Sequence, residues 1–445
     1  MSPSVRLLAR VLLAACAAGG SAVASHAAAE ALLLIDAESG KVLQAENATY
    51  PWYPASTSKL MTTYVTLNAV KEGRISFDTV VTISPLAASQ SPSKMGLRAG
   101  TQLTIDNALK MMLVHSANDI AVVLAEGVDG SIDKFADEMN ATSQRLGMTE
   151  SSWVNPNGLP AEGQISSARD LGILARALIH DFPQWDFYWH IPSIRFGKRV
   201  MVNYNKLLAE YPGADGMKTG FICASGFNLV ATATRNNRRL IAIVMGAPSS
   251  AARANKAAAL LEQGFSGSML GWLLPTLGTV DQLQPINAAP PDLHEQVCGP
   301  HRKRQAAEDE DDEAAAGSDN DSQRAFMLSD LKGATRGSLL TGNPLVAAVP
   351  PIVVYVGPHR DTAVATAADD AAVVAGAKPK RKRSKIATTD KSDKPAAAKP
   401  ADAKPTDAKP ADAKPAKPAA TKSEAKPAQA TATAAKPKAA PTTTQ

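Results

Sequence analysis

The chain has 445 residues, 45% of them hydrophobic and 20% charged, with a formal net charge of +5. That length allows two or three domains, but the charge is uneven: Lys378 to Gln445 holds 17 Lys or Arg against 6 Asp or Glu, which leaves the remainder slightly acidic. Histidines scattered without metal-ligand spacing weigh against a zinc peptidase, and after the first thirty residues no uninterrupted apolar run is long enough to cross a membrane.

Residues 1–29 read as a secretory leader: Arg6 and Arg10, an apolar stretch from Val11 to Ala24, and Ala27-Ala28-Ala29 as a small-residue cleavage site. Leu13-Ala14-Ala15-Cys16 also resembles a lipoprotein box, but the apolar run before Cys16 is short, which favours a cleaved leader. The mature chain is expected to start near Glu30 and to act in the periplasm or cell envelope. Cys223 and Cys298 then remain. A bridge between them is one reading, and a buried strand thiol at Cys223 is the simpler one.

Residues 31–50 predict a hairpin, Ala31–Ile35 and Val42–Ala45 about a turn at Asp36 to Gly40. Ser56, beside Pro54, opens an apolar-periodic stretch (Leu60, Met61, Tyr64, Val65, Leu67) and is expected in the first turn of a helix. Helical spacing recurs over Leu103–Met112, Asn118–Ala125, Ile132–Leu146 and Ala168–Ile179. Strand character returns at Gly216–Phe221, Phe227–Thr234 and Leu240–Met245, with Arg235-Asn236-Asn237-Arg238 as the turn between the last two, and Ala251–Phe265 reads as a closing helix. This order predicts an α/β (α+β) domain over 30–272: one antiparallel sheet built from both ends of the domain, a helical inserted lobe, and a cleft between them. Residues 273–375 are expected to be a mostly irregular linker with an acidic run. The Ala/Lys/Pro-rich basic tail 376–445 has too little apolar surface to offset its ordering entropy and is expected to be disordered.

Three motifs carry chemistry. Ser56-Thr57-Ser58-Lys59 places Lys59 one helical turn after Ser56, so its amine reaches the hydroxyl as a base. A free lysine titrates near ~10.4, and a closed cleft with a second cation would lower that value; Lys218 is the candidate cation. Ser116-Ala117-Asn118 offers a hydroxyl as proton relay and an amide to hold the acyl substrate or fix the Lys59 head. Lys218-Thr219-Gly220 offers a charge and a hydroxyl to a carboxylate, with Gly220 allowing close backbone approach. The N–H groups of Ser56 and Phe221 are candidate oxyanion donors. Ser-x-x-Lys recurs at Ser91/Lys94, Ser131/Lys134, Ser329/Lys332 and Ser423/Lys426, so the information lies in order and context rather than in the letters.

With the stretches Asn157-Gly158-Leu159, Gly163 to Asp170, Asp215 to Gly220 and Gly226 to Ala231, the chain resembles the D-alanyl-D-alanine carboxypeptidases, low-molecular-weight serine penicillin-binding proteins, over residues 30 to 270. The resemblance implies a serine peptidase that removes the terminal D-alanine of peptidoglycan stem pentapeptides and serves peptidoglycan maturation and cell shape, with no cofactor or metal and with β-lactams as inhibitors. It implies Ser56, Lys59 and Ser116 as catalytic residues and Asn118, Lys218, Thr219, Gly220 and Phe221 on the substrate, with Arg253 beside its carboxylate. Neither a β-rich second domain nor an amphipathic anchor helix is evident, so membrane tethering by that route is not expected.

The bland alternatives are a solvated surface position for Arg253, structural roles for His115 and Asp215, and core packing for Trp52, Tyr53 and Trp153. Export makes nucleic acid an implausible partner for the basic run Lys378–Lys385, whereas anionic envelope components are a candidate. A β-lactamase of the same fold would need a glutamate-held water, for which only Glu150 and Glu162 are available. An inactive wall-binding protein would not be expected to keep Ser56, Lys59 and Lys218.

Overall fold

The computed structural model describes residues 30–267, 277–300 and 349–358. The expected leader, the acidic run and the basic tail lie outside the described residues. Ten strands are described: β1 Ala31–Asp36, β2 Val42–Glu46, β3 Val80–Thr82, β4 Gln102–Thr104, β5 Ser193–Phe196, β6 Arg199–Val202, β7 Ala214–Ile222, β8 Gly226–Arg235, β9 Arg238–Ala247 and β10 Ile352–Val354. The helices are α1 Lys59–Lys71, α2 Pro85–Ala88, α3 Ile105–His115, α4 Asn118–Asp129, α5 Ile132–Leu146, α6 Ala168–Asp181, α7 Leu207–Glu210, α8 Ser250–Ser266 and α9 His294–Cys298.

The main sheet runs β2-β1-β9-β8-β7, antiparallel throughout. As expected, its strands come from both ends of the domain, because β1 pairs with β9 in the register Leu33↔Ile243. Asn236 and Asn237 both adopt positive φ (50° and 59°) between β8 and β9, as the two-residue turn predicted there requires.

Both faces of the sheet are covered, and two glycines show how. An added Cβ at Gly172 of α6 would meet Leu33, whereas one at Gly264 of α8 would meet Leu34 and Leu240. Neighbouring residues of a strand point to opposite faces, so α6 and α8 sandwich the sheet. Eight consecutive residues of β8, Gly226 to Ala233, are buried in consequence.

The inserted lobe surrounds α1, whose apolar and threonine side chains are buried on nearly every side. The cap residues explain the well-defined ends of its neighbours. Thr104, Ser131 and Ser167 each accept an N–H of the first turn of α3, α5 and α6, and Gly130 and Gly147 close α4 and α5 with positive φ. No helix among the described residues is long and apolar enough to cross a membrane.

Beyond residue 272 the described chain still packs onto this body. Gly278 O accepts from Val42 N at 2.9 Å, and Leu293 N donates to Ala224 O at 2.9 Å. The reading of Cys223 as a buried strand thiol is corrected: it lies half-buried in the turn after β7 and is bonded to Cys298, with Cα atoms 5.6 Å apart. The sequence could not decide this, because 75 residues of spacing do not set a distance. Farther on, β10 adds in parallel to β5, extending the β5–β6 hairpin to three strands. Val354 is wholly buried there, and Tyr355 N donates to Asn107 Oδ1 of α3 at 3.0 Å.

Ending the chain at residue 348 is therefore expected to lower stability by about 3 kcal/mol, through the lost burial of one Val and one Tyr. Urea denaturation of the full and shortened chains measures it, and coincident midpoints would contradict it.

Candidate active site

The segment that carries Ser56 is held on both sides. Upstream, Trp52 exchanges backbone hydrogen bonds with Ser166 and donates its indole N–H to Ser225 O at 3.0 Å. Trp52 and Trp153 are core residues, whereas Tyr53 is half-buried. Residues Ala55–Ser58 form a 3₁₀ turn that leads directly into α1, so Ser56 precedes the α-helix proper and is half-exposed. Thr57 Oγ1 donates to Pro54 O at 2.7 Å and Ser58 Oγ to Ala55 O at 2.8 Å, which ties the turn to itself.

Lys59 starts α1 and is wholly buried. Its Nζ lies 2.9 Å from Ser56 Oγ, 2.7 Å from Asn118 Oδ1 and 2.7 Å from the carbonyl oxygen of Asn157. Of the two roles open to Asn118, fixing the lysine head is the one observed. The Asn118 amide nitrogen is itself committed to Ser91 O and Pro92 O, both at 3.0 Å. Those carbonyls belong to a loop anchored by Asp119, whose carboxylate accepts from the N–H groups of Met95 and Gly96. Burial raises the pKa of Asp119, and the N–H donors oppose that shift only in part.

Ser116 caps α3 in a left-handed conformation (φ 57°, ψ 26°). Its Oγ accepts from Lys218 Nζ at 3.0 Å, so the hydroxyl expected to act as a relay is joined to the candidate second cation. Lys218 and Thr219 are buried in β7, at the end of the sheet. Gly220 meets the Ser56 turn: an added Cβ would lie 2.9 Å from Ser56 N and 3.0 Å from Pro54 O. Phe221 follows, half-buried, with its ring centroid 4.2 Å from that of Phe227.

Arg253 is not a solvated surface residue. It is 2% exposed, donates to Asn228 O at 3.3 Å, and lies over the Phe227 ring. It therefore reaches the backbone of β8, the strand next to β7. His115 is buried and stacked on Tyr204, and Asp215 accepts from Thr234 Oγ1 at 2.5 Å beside Arg239; both have structural partners. Glu150 is engaged by Ser167 Oγ and Ile286 N rather than turned to the cleft. No cluster of metal-ligating side chains occurs among the described residues.

Two contributors went unassigned in the sequence. Asn157 reaches Lys59 through its backbone carbonyl, which leaves no trace in the letters. Asn228 donates to the carbonyls of Tyr53 and Pro54 while accepting from Gly246 N, so it locks the Ser56 segment to the centre of the sheet. A buried amide in an otherwise apolar strand was the available signal.

The sequence profile of the D-alanyl-D-alanine carboxypeptidases matches residues 18–249. The chain belongs to that family. The D-alanyl-D-alanine carboxypeptidase DacC of Escherichia coli (strain K12) is 38% identical over 244 residues, which cover 53% of this chain and 61% of DacC. DacA of Haemophilus influenzae is 37% identical, with 54% and 62% covered. The chain thus spans about three fifths of the length of these curated relatives. Among solved structures, penicillin binding protein 5 from Haemophilus influenzae superposes with a TM-score of 0.51 at 36% identity, covering 53% of this chain and 70% of that one. Penicillin binding protein 6B from Escherichia coli gives 0.51 at 35%, covering 53% and 76%.

Gly158, next to the Asn157 carbonyl that holds Lys59, has φ +83° and faces Ala55: an added Cβ would lie 1.9 Å from the Ala55 oxygen. Gly73 has a similar φ (+74°) with nothing within 4 Å. Gly73→Ala is expected to cost about 1 kcal/mol from backbone strain alone, and Gly158→Ala at least about 3 kcal/mol because a backbone atom must move as well. Chemical denaturation of both variants checks this, and equal losses would contradict it.

Proposed function

We propose that the chain is a serine-type D-alanyl-D-alanine carboxypeptidase that cleaves the terminal D-alanine from peptidoglycan stem peptides through an ester on Ser56. The observation that carries this reading is the surroundings of Lys59 Nζ. A neutral amine has two N–H bonds and one lone pair. The two carbonyl oxygens, from Asn118 and Asn157, accept the two N–H bonds and leave the lone pair for the Ser56 hydroxyl at 2.9 Å.

In the reaction Ser56 Oγ attacks the carbonyl carbon between the two D-alanines while Lys59 takes the hydroxyl proton. The charge that develops on the carbonyl oxygen is met by the N–H groups of Ser56 and Phe221, brought together where Gly220 abuts the turn. Collapse breaks the C–N bond, and the departing amine receives a proton by way of Ser116. Lys218 and Thr219 hold the carboxylate of the leaving D-alanine, and the buried setting of Lys218 strengthens that attraction. Water then hydrolyses the ester and returns the enzyme. Arg253, through Asn228 and Phe227, keeps β8 and hence β7 in place. A β-lactam would acylate the same serine, as the names of the penicillin-binding relatives suggest. The engaged Glu150 weighs against fast β-lactam turnover by a glutamate-held water.

The leader and the basic tail, read from the sequence, support export to the periplasm or envelope, with the tail attracted to anionic wall polymers or headgroups.

Fluorescent penicillin is expected to label the wild type and not Ser56→Ala, and the wild type is expected to release D-alanine from a pentapeptide. Lys59→Arg should slow acylation by about 10³-fold or more, because a guanidinium stays protonated and cannot accept the serine proton. Stopped-flow acylation measures that rate, and a loss below about tenfold would remove Lys59 as the base. Cosedimentation with isolated cell wall should fall on deleting 376–445 and weaken with added salt; unchanged binding would refute the tail contact.

A further inference from the structure

The hydrogen bond between Ser116 and Lys218 joins two separate bodies, since Ser116 ends α3 of the lobe and Lys218 lies in β7 of the sheet. One side-chain contact is too weak to hold two elements in register, so the pair needs a mount. Residues 203–205, between β6 and α7, touch the neighbours of both partners. Tyr204 stacks on His115, the residue before Ser116, with ring centroids 6.0 Å apart. Asn205, 2% exposed, donates its amide at 2.7 Å to the carbonyl of Gly216, two residues before Lys218. Adjacent side chains of one short segment thus reach from the helix of the hydroxyl to the strand of the cation.

The segment is itself fastened to the far end of the chain. Asn203 ties the exit of β6 to the entry of β5, donating its amide to Ile191 O at 3.0 Å and its backbone N–H to Pro192 O at 2.8 Å. Its Oδ1 accepts from Asn205 N at 2.9 Å. The hairpin buries Ile194, Phe196 and Met201 beside α3. β10 pairs with the other edge of β5, Val353 opposite Arg195, and reaches the first turn of α3 through Tyr355 N and Asn107 Oδ1. That strand stands outside the region matched by the family profile, which ends at residue 249.

We infer that Tyr204 and Asn205 are positioning residues for the Ser116–Lys218 pair, and that β10 keeps them in place by fixing the β5–β6 hairpin along α3. The inference rests on the carboxypeptidase reading and adds to it the residues that set the geometry of its proton relay. Ser116 must stand at the leaving nitrogen as the C–N bond breaks, and a displacement of about 1 Å costs up to about 100-fold in rate.

The test compares kcat/KM of the full chain for an N-acyl-D-Ala-D-Ala peptide and for the thioester in which thioglycolate replaces the last D-alanine. Both carry the carboxylate offered to Lys218, and both leave the same acyl group on Ser56. Only the peptide needs a proton on its leaving group, because a thiol departs as thiolate with the electron pair of the C–S bond. Asn205→Ala should lower the peptide-to-thioester ratio by about tenfold or more. Tyr204→Ala, which removes the stack on His115, should lower it in the same direction and serves if Asn205→Ala does not fold. Val354→Asp, which expels β10, should lower the ratio by about threefold or more, and should add nothing to Asn205→Ala because the two act along one route. Gly73→Ala, destabilised where an added Cβ meets nothing within 4 Å, should reduce both rates in proportion and leave the ratio as it is. An unchanged ratio in Asn205→Ala or in Tyr204→Ala would overturn the positioning role. An unchanged ratio in Val354→Asp, or losses that multiply in the double variant, would overturn the part given to β10. Failure of the wild type to react with either substrate or with penicillin would instead overturn the carboxypeptidase reading beneath it.

Discussion

An amine buried where three chain segments meet is the constraint on which the site depends. Lys59 is wholly enclosed, and its nitrogen satisfies itself on Ser56 of its own turn, Asn118 at the start of α4 and the Asn157 carbonyl in the loop before α6. A buried amine without acceptors is costly, so these segments must arrive together for the lobe to close at all. In the proposed mechanism, the carbonyl acceptors that make the burial tolerable also turn the lone pair towards Ser56.

The sheet supplies the opposite wall. β7 stands at the end of the order β2-β1-β9-β8-β7, and its outer edge meets the Ser56 turn at Gly220. Asn228, one strand in, holds the carbonyls of Tyr53 and Pro54 and so sets the separation between this wall and Ser56. Arg253 donates to the backbone of that strand.

The sequence conveyed much of this. The hairpin, the strands β7 to β9 and the helices α3 to α6 and α8 follow from apolar periodicity, and Asn236-Asn237 announced its turn. Ser56 and Lys59 were legible as partners because they are one helical turn apart, a distance that local geometry sets. The third strand of the small sheet was not legible. Ile352–Val354 is a short apolar run among prolines, and what makes it a strand is β5, a partner remote in sequence. Nor was the Cys223–Cys298 bond, since two thiols in an exported chain permit a bridge without requiring one.

The residues alone therefore determined which chemical groups are available and the local scaffold that presents each, because hydrophobic period and helical spacing are short-range properties written in consecutive letters. Only the tertiary structure decided how those groups are joined: that Asn118 holds the lysine head, that Ser116 is bonded to Lys218, that a backbone carbonyl at Asn157 completes the surroundings of Lys59, and that Arg253 reaches the backbone of β8. Those are long-range contacts, fixed by the packing of the lobe against the sheet. Several run through backbone atoms or buried polar groups whose partners no residue type specifies.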